Sequence, residues 1–103
     1  MPRIIKRPAA KRDLTLQFVW LAEQGGIEVA RRFLRAAEAA FQALAEMPGM
    51  GPLKVHDGKF AGVRMWRVPG FESYLIFYRP QKGGVAIEKV VHAKQDYQRV
   101  LKA

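Results

Sequence analysis

The chain has 103 residues, which is enough for one compact domain and too few for two. Half of the residues are hydrophobic, so a core can form without crosslinks, and the lack of cysteine excludes disulfides and thiolate metal sites. The 18 Lys and Arg residues outnumber the 9 Asp and Glu residues, and this net charge of +9 favours an acidic partner such as nucleic acid, an anionic membrane or an acidic protein.

The first half of the sequence predicts one short strand and two helices. Residues 3–6 read as a β-like start. Residues 9–24 carry apolar side chains at helical spacing, and Gly25 and Gly26 end that pattern. Residues 27–47 form a longer amphipathic stretch with one apolar stripe. Two helices joined by so short a turn predict an antiparallel helical hairpin.

The second half predicts a loop, three strands and a short terminal helix. Residues 53–62 are polar and contain glycine, as expected of a loop. Three β-like runs follow between residues 63 and 92, separated by Pro/Gly turns, as in an antiparallel meander. The run 74–78 is apolar on both faces, which predicts a central strand covered on both sides. Residues 93–101 suit a terminal helix.

These elements give the order β-α-α-β-β-β-α, and therefore one α+β two-layer domain spanning residues 1–103. The helical hairpin is expected to pack on one face of an antiparallel sheet. The large apolar side chains of the helices and of the central strand should then be mostly buried. They are Phe18, Phe33, Leu34, Phe41, Leu75 and Phe77.

Several functional classes lack support in the sequence. The two histidines are 36 positions apart and no acidic residues cluster, so we expect neither a metal site nor another cofactor. Gly83 and Gly84 lie in a hairpin turn rather than in a phosphate-binding loop. No apolar run approaches the length of a membrane span, and the basic N-terminus leads into a polar segment, unlike a signal peptide.

The order and spacing of four segments resemble the ParE branch of the RelE/ParE toxin superfamily. Residues 10–14 are similar to the start of the family's first helix, and residues 44–51 to the end of its second. Residues 64–79, with Arg-Met-Trp-Arg-Val and Tyr-Leu-Ile-Phe-Tyr-Arg, are the most specific match. Residues 87–92 followed by Asp96 resemble the closing strand with its His and Asp.

This resemblance implies a bacterial cytoplasmic toxin of a type II toxin–antitoxin pair. Its partner would be an acidic ParD-like antitoxin with a ribbon-helix-helix start, bound in a hetero-oligomer across the sheet and the helical hairpin. ParE-like members poison DNA gyrase, whereas RelE-like members cut mRNA on the ribosome. Because the fold is shared, fold alone does not choose between these targets.

The candidate site residues lie on the strands and at the C-terminal end. Arg64, Arg67 and Arg79 can bind a target or an antitoxin through bidentate anion contacts, but a guanidinium is a poor base. A nuclease would instead use His92 and Tyr97 for proton transfer beside Arg64 and Arg79. Glu88 is a weaker acid–base candidate, and Asp96 would repel a phosphate.

Simpler roles remain open for each of these residues. A strand arginine can be a solvated or salt-bridged surface residue, and His92 can hold the start of the last helix together with Asp96. Trp20 and Trp66 are interpreted as packing residues rather than stacking platforms. Three hypotheses therefore stand: a gyrase-inhibiting toxin, a ribosome-dependent mRNA endonuclease, and a non-toxic basic nucleic-acid-binding module.

Overall fold

The computed structural model of the chain describes residues 2–94. The elements are β1 (Arg3–Lys6), α1 (Pro8–Gly25), α2 (Ile27–Glu46), β2 (Arg64–Val68), β3 (Phe71–Gln81) and β4 (Gly84–His92). Two helices pack on one four-stranded sheet, which confirms the predicted α+β layering. The predicted helix over residues 93–101 lies almost wholly outside the described residues.

The boundaries of the helices follow from local sequence. Pro8 stands in the first turn of α1, where its fixed φ suits a helix and its missing N–H is not needed. Gly26 separates the helices with φ at 91°, a left-handed value that glycine adopts without strain. α2 ends at Glu46, one residue before the predicted end. The hairpin was therefore predicted to within one residue at each of its four ends.

The sheet is mixed, and this corrects the prediction of an antiparallel sheet. Its strand order is β1-β4-β3-β2. β2, β3 and β4 form the predicted antiparallel meander, but β1 pairs in parallel with β4, with Ile4 opposite Val85. The pattern of residues 3–6 predicts a strand but does not indicate whether it pairs in parallel or antiparallel with its neighbour. The direction is set by the crossover through the whole of the intervening chain.

The helix-side core is built mainly from α2 and the two central strands. α2 presents alternating bulk and small residues to the sheet, so Phe33 and Phe41 sit among alanines and are fully buried. Ile76 and Tyr78 of β3 reach the same core. The predicted burial is confirmed for Phe33, Phe41, Leu75 and Phe77, whereas Phe18 and Leu34 are only partly buried at the edge of the core.

The face of the sheet opposite the helices is covered by a shorter segment of the chain. Leu75 and Phe77 of β3 point away from the helices and form a second cluster with Val63, Met65 and Val91. Part of the loop between α2 and β2 folds over this cluster, with Val55 and Phe60 packed against it. The central strand is therefore apolar on both faces because both are covered, as its sequence predicted.

One contact fixes α1 against the sheet edge that β4 provides. Asp13 accepts a hydrogen bond from the backbone N–H of Val90 at 2.9 Å and pairs with the Lys89 ammonium at 3.0 Å. Lys89 and Val90 directly follow an irregularity in the β3–β4 register, which on β3 lies between Phe77 and Tyr78. β1 pairs with β4 only as far as Ile87, so the carboxylate supplies a partner to a backbone donor of β4 beyond the end of β1.

We predict that Phe41→Ala lowers the free energy of unfolding by about 3–5 kcal/mol, because it leaves a cavity in a fully packed core. Urea unfolding of the purified chain measures the change. Leu16→Ala is the matched control, since Leu16 is 66% exposed on the neighbouring helix and its truncation should change stability by less than about 0.5 kcal/mol. Similar losses in the two variants would contradict the packing described.

Candidate functional site

Arg64 lies on the helix side of β2 and holds the turn that follows α2. Its guanidinium donates a hydrogen bond to the Gly51 carbonyl at 2.8 Å. The neighbouring Tyr78 hydroxyl accepts from the Gly51 N–H at 2.8 Å and donates to the Pro48 carbonyl at 2.8 Å. The two side chains therefore form a clamp on residues 48–51, which we call the turn clamp.

The turn clamp leaves no room for a side chain at Gly51. A Cβ at this position would lie 2.5 Å from the Met65 carbonyl oxygen and 2.7 Å from the Tyr78 hydroxyl. Burial raises the pKa of the Tyr78 phenol, while the hydrogen bond from Gly51 and the charge of Arg64 act in the opposite direction. The hydroxyl is thus kept protonated at neutral pH, as it must be to donate to Pro48.

Arg79 holds the loop that covers the outer face of the sheet. Its two terminal nitrogens donate to the carbonyls of Ala61, at 3.0 Å, and Lys59, at 2.7 Å. Its Nε lies 3.7 Å from the Glu88 carboxylate, which also lies 3.5 Å from the Nε of Arg7. Glu88 is therefore engaged by two guanidinium groups.

Arg67 is the most exposed of the three predicted arginines. It lies near the end of β2, and its guanidinium donates to the Glu72 carbonyl at 2.7 Å across the turn to β3. The Glu72 carboxylate in turn accepts from the Gly70 N–H at 2.7 Å. Arg67 also borders a largely apolar cleft at the β2 edge, beside Trp66. Its remaining donors face solvent.

The structure places the three arginines apart rather than around one point. Arg64 faces the helix side of the sheet, beside Tyr78, whereas Arg79 contacts the loop on the opposite face. Arg67 reaches the hairpin turn at the far end of β2. Each of them donates to backbone carbonyls. The sequence revealed the cations but not the loop paths that supply these acceptors.

His92 ends β4 on the same side of the sheet as Arg64 but at the other end of β3. It pairs with Tyr74, and the two rings meet edge to face with centroids 5.1 Å apart. Its Nδ1 accepts from the Lys94 N–H at 3.2 Å. Arg64 pairs with Tyr78, four residues from Tyr74, which corresponds to about 13 Å along the strand. His92 is therefore not a neighbour of Arg64.

Tyr97, and also Asp96, the predicted partner of His92, lie outside the described residues. Within residues 2–94, no three or more His, Cys, Asp or Glu side chains come together in a way that would hold a metal ion.

Exposed apolar side chains on α1 form a surface that the sequence did not reveal. Leu16, Val19 and Trp20 are 66%, 49% and 45% exposed, and their i, i+3, i+4 spacing makes them neighbours on the helix. We call these three residues the α1 patch. Trp20 is therefore about half buried, and its exposed part belongs to this surface. The available signal was that α1 has apolar residues on all sides, although a helix at the surface needs only one buried face.

A second apolar feature lies between the two helices. A cleft there is lined by Leu14, Thr15, Phe18 and Leu34. Phe18 and Leu34 are the two predicted core residues that are only partly buried. The helical hairpin thus has a second patch of incompletely buried apolar side chains beside the α1 patch.

None of the helices in the described part of the chain is both long and apolar enough to cross a membrane.

The fold is a helical hairpin on a four-stranded mixed sheet. Residues 4–97 match the family described as the ParE toxin of the type II toxin–antitoxin system parDE, and the chain belongs to that family. A solved structure, titled "Chromosomal ParDE TA system from P. aeruginosa", has the same fold, with a TM-score of 0.71 and 15% identity over 89% of this chain and 96% of that chain. A comparison with curated protein sequences finds no match.

We predict that Tyr78→Phe lowers the free energy of unfolding by about 1–3 kcal/mol, because it leaves the Gly51 N–H and the Pro48 carbonyl without their partner. Tyr74→Phe is the control, since the Tyr74 hydroxyl makes no hydrogen bond to the described part of the chain. Urea unfolding at pH 7 compares the two variants. Equal stability losses would show that the turn clamp contributes nothing specific.

Proposed function

We propose that this ParE-family toxin acts by binding and inhibiting DNA gyrase, and that a cognate acidic antitoxin neutralises it in the bacterial cytoplasm. The observation that carries the proposal is the family match over residues 4–97, together with the likeness of the fold to a ParDE toxin–antitoxin structure. The antitoxin is expected to be ParD-like, with a ribbon-helix-helix start.

The positions of Arg64, Arg79 and His92 argue against RNA cleavage at one centre. Arg64 and Arg79 are engaged by backbone carbonyls, and His92 is packed against Tyr74. RNA cleavage needs a base and an acid on either side of one phosphate, with cations around it. Arg64 and Arg79 lie on opposite faces of the sheet, so they do not make that arrangement with each other.

The apolar surface of the helical hairpin supports an antitoxin that binds there. A segment of the antitoxin that inserts apolar side chains into the cleft and onto the α1 patch would bury them in the manner of a helix in a groove. Acidic residues around such a segment would match a toxin of net charge +9 and accelerate association.

Arg67→Ala is predicted to weaken gyrase inhibition by about tenfold or more, because Arg67 is the exposed arginine whose remaining donors can meet a target. The measurement is supercoiling of plasmid DNA by purified gyrase at graded toxin concentrations. Arg32→Ala is the matched control: it removes the same charge from an exposed position on α2 and should leave inhibition unchanged. Thermal melting should show both variants to be folded.

Two outcomes would contradict this mechanism. Equal effects of the two substitutions would mean that only net charge matters. Cleavage of mRNA in a translating extract by the wild-type chain, lost in folded His92→Gln or Tyr97→Phe variants, would replace gyrase inhibition by a nuclease mechanism. Removing a proton-transfer group lowers such a rate about 10²–10⁴-fold.

Substituting the α1 patch should weaken the antitoxin complex without unfolding the toxin. We expect Leu16→Ser with Trp20→Ser to raise the dissociation constant for the antitoxin about 30-fold or more, since buried aromatic anchors often contribute about 2 kcal/mol or more. The partner is the product of the adjacent reading frame, and calorimetry measures its affinity. Met47→Ser is the control, because Met47 is 63% exposed and lies at the end of α2 rather than on α1. Unchanged affinity in the double variant would place the antitoxin elsewhere.

A further inference from the structure

The excess positive charge of the chain lies entirely outside the two helices. α1 and α2 together carry five basic and five acidic residues, so the helical layer is neutral. The other thirteen basic and four acidic residues belong to the strands, the loops and the chain ends, and they account for the whole net charge of +9. A charge distribution this uneven attracts a polyanion to the sheet and its loops rather than to the hairpin.

β1 and the residue that follows it place two arginines on the outer face of the sheet. Ile4 packs in the helix-side core, and Lys6 pairs with Glu38 of α2. Because side chains alternate along a strand, Arg3 and Arg7 face the opposite way. Both are exposed. The contact of Arg7 with Glu88, described above, confirms its direction.

Further cations join these two on the outer face. Arg7 and Arg79 meet on either side of the Glu88 carboxylate, and the hydrogen bond from Arg79 to the Lys59 carbonyl brings the exposed Lys59 beside them. At the other end, Arg3 and Lys82 line a small cleft at the start of β4. We call Arg3, Arg7, Lys59, Arg79 and Lys82 the basic face. Glu88 is the one carboxylate in contact with it among the described residues.

The chemistry of the basic face selects among polyanions. Proteins that bind unpaired nucleic acid strands usually stack bases on exposed aromatic side chains. The described aromatic residues on this side of the sheet, Phe60 and Phe77, are packed into the outer hydrophobic cluster. What remains is a set of arginines and lysines spread over three elements, which suits contacts with phosphates and not with bases.

We infer that the basic face binds the phosphate backbone of double-stranded DNA without sequence preference. The arginines contact phosphates, and Glu88 moderates the affinity by neutralising part of the charge of Arg7 and Arg79. This surface is separate from the α1 patch and from the turn clamp, and it gives the toxin a contact with DNA that does not require the antitoxin.

The test is fluorescence anisotropy with a labelled 20-base-pair duplex and the full wild-type chain over a range of salt concentrations. We expect binding whose logarithm falls linearly with the logarithm of salt concentration, by about 0.9 per phosphate contacted. Arg3→Gln with Arg7→Gln should reduce that slope by about 2 and weaken binding at least about tenfold at 0.1 M salt. Glu88→Gln should strengthen binding.

The matched control is Arg32→Gln with Arg35→Gln, which removes the same charge from exposed positions on α2 and should change the affinity less than twofold. An equal loss in the two double variants would overturn the proposal, because binding would then depend on net charge and not on this face. Lack of binding by the wild-type chain, or tighter binding to single-stranded DNA, duplex RNA or poly-glutamate, would overturn it too. Circular dichroism confirms that every variant is folded.

Discussion

The structure depends on a central strand that must be covered on both faces. Tyr74, Ile76 and Tyr78 of β3 point to the helices, while Leu75 and Phe77 point the other way, and all five are buried. One helical hairpin can cover only one of these faces. The chain therefore needs a second cover, and the loop between α2 and β2 provides it. Many of the side-chain hydrogen bonds of the protein hold the hairpin and this loop against the sheet.

The arginines that the sequence marks as functional are best understood within this constraint. Arg79 fixes the outer cover through two loop carbonyls, and Arg64 with Tyr78 fixes the turn where the chain leaves the helix layer. Loops bring unpaired carbonyls close to the sheet, and a guanidinium can satisfy several of them while keeping its charge. Substitution of either arginine would therefore change folding and any binding together, whereas Arg67 separates the two effects.

The helical hairpin and the outer side of the sheet form two surfaces that differ in charge and hydrophobicity. The hairpin is electrically neutral and exposes apolar side chains, which suits a partner that buries hydrophobic surface. The outer side of the sheet carries much of the excess charge and keeps arginines at its surface, which suits a polyanion. A small toxin with two such surfaces can hold its antitoxin on one and contact DNA with the other.

Much of this fold could be predicted from sequence because local residue patterns determine most of its helices and strands. α2 has one apolar stripe and is followed by a Pro/Gly-rich segment that ends the helix. β3 has apolar residues on both of its faces. The direction of β1 and the contacts of Arg64 and Arg79 could not be predicted, since they depend on where distant segments run. The α1 patch was also missed, because periodicity cannot tell which face of an all-round apolar helix is buried.

One competition measurement tests directly whether the apolar and basic surfaces are separate binding sites. The toxin is saturated with the toxin-binding segment of its antitoxin, supplied as a peptide, and then titrated with labelled duplex DNA. We expect DNA to bind the complex with an affinity within about threefold of that for the toxin alone, once a salt series has corrected for the change in net charge. Displacement of the peptide by DNA, or of DNA by the peptide, would show that the two partners share one surface and would contradict this expectation.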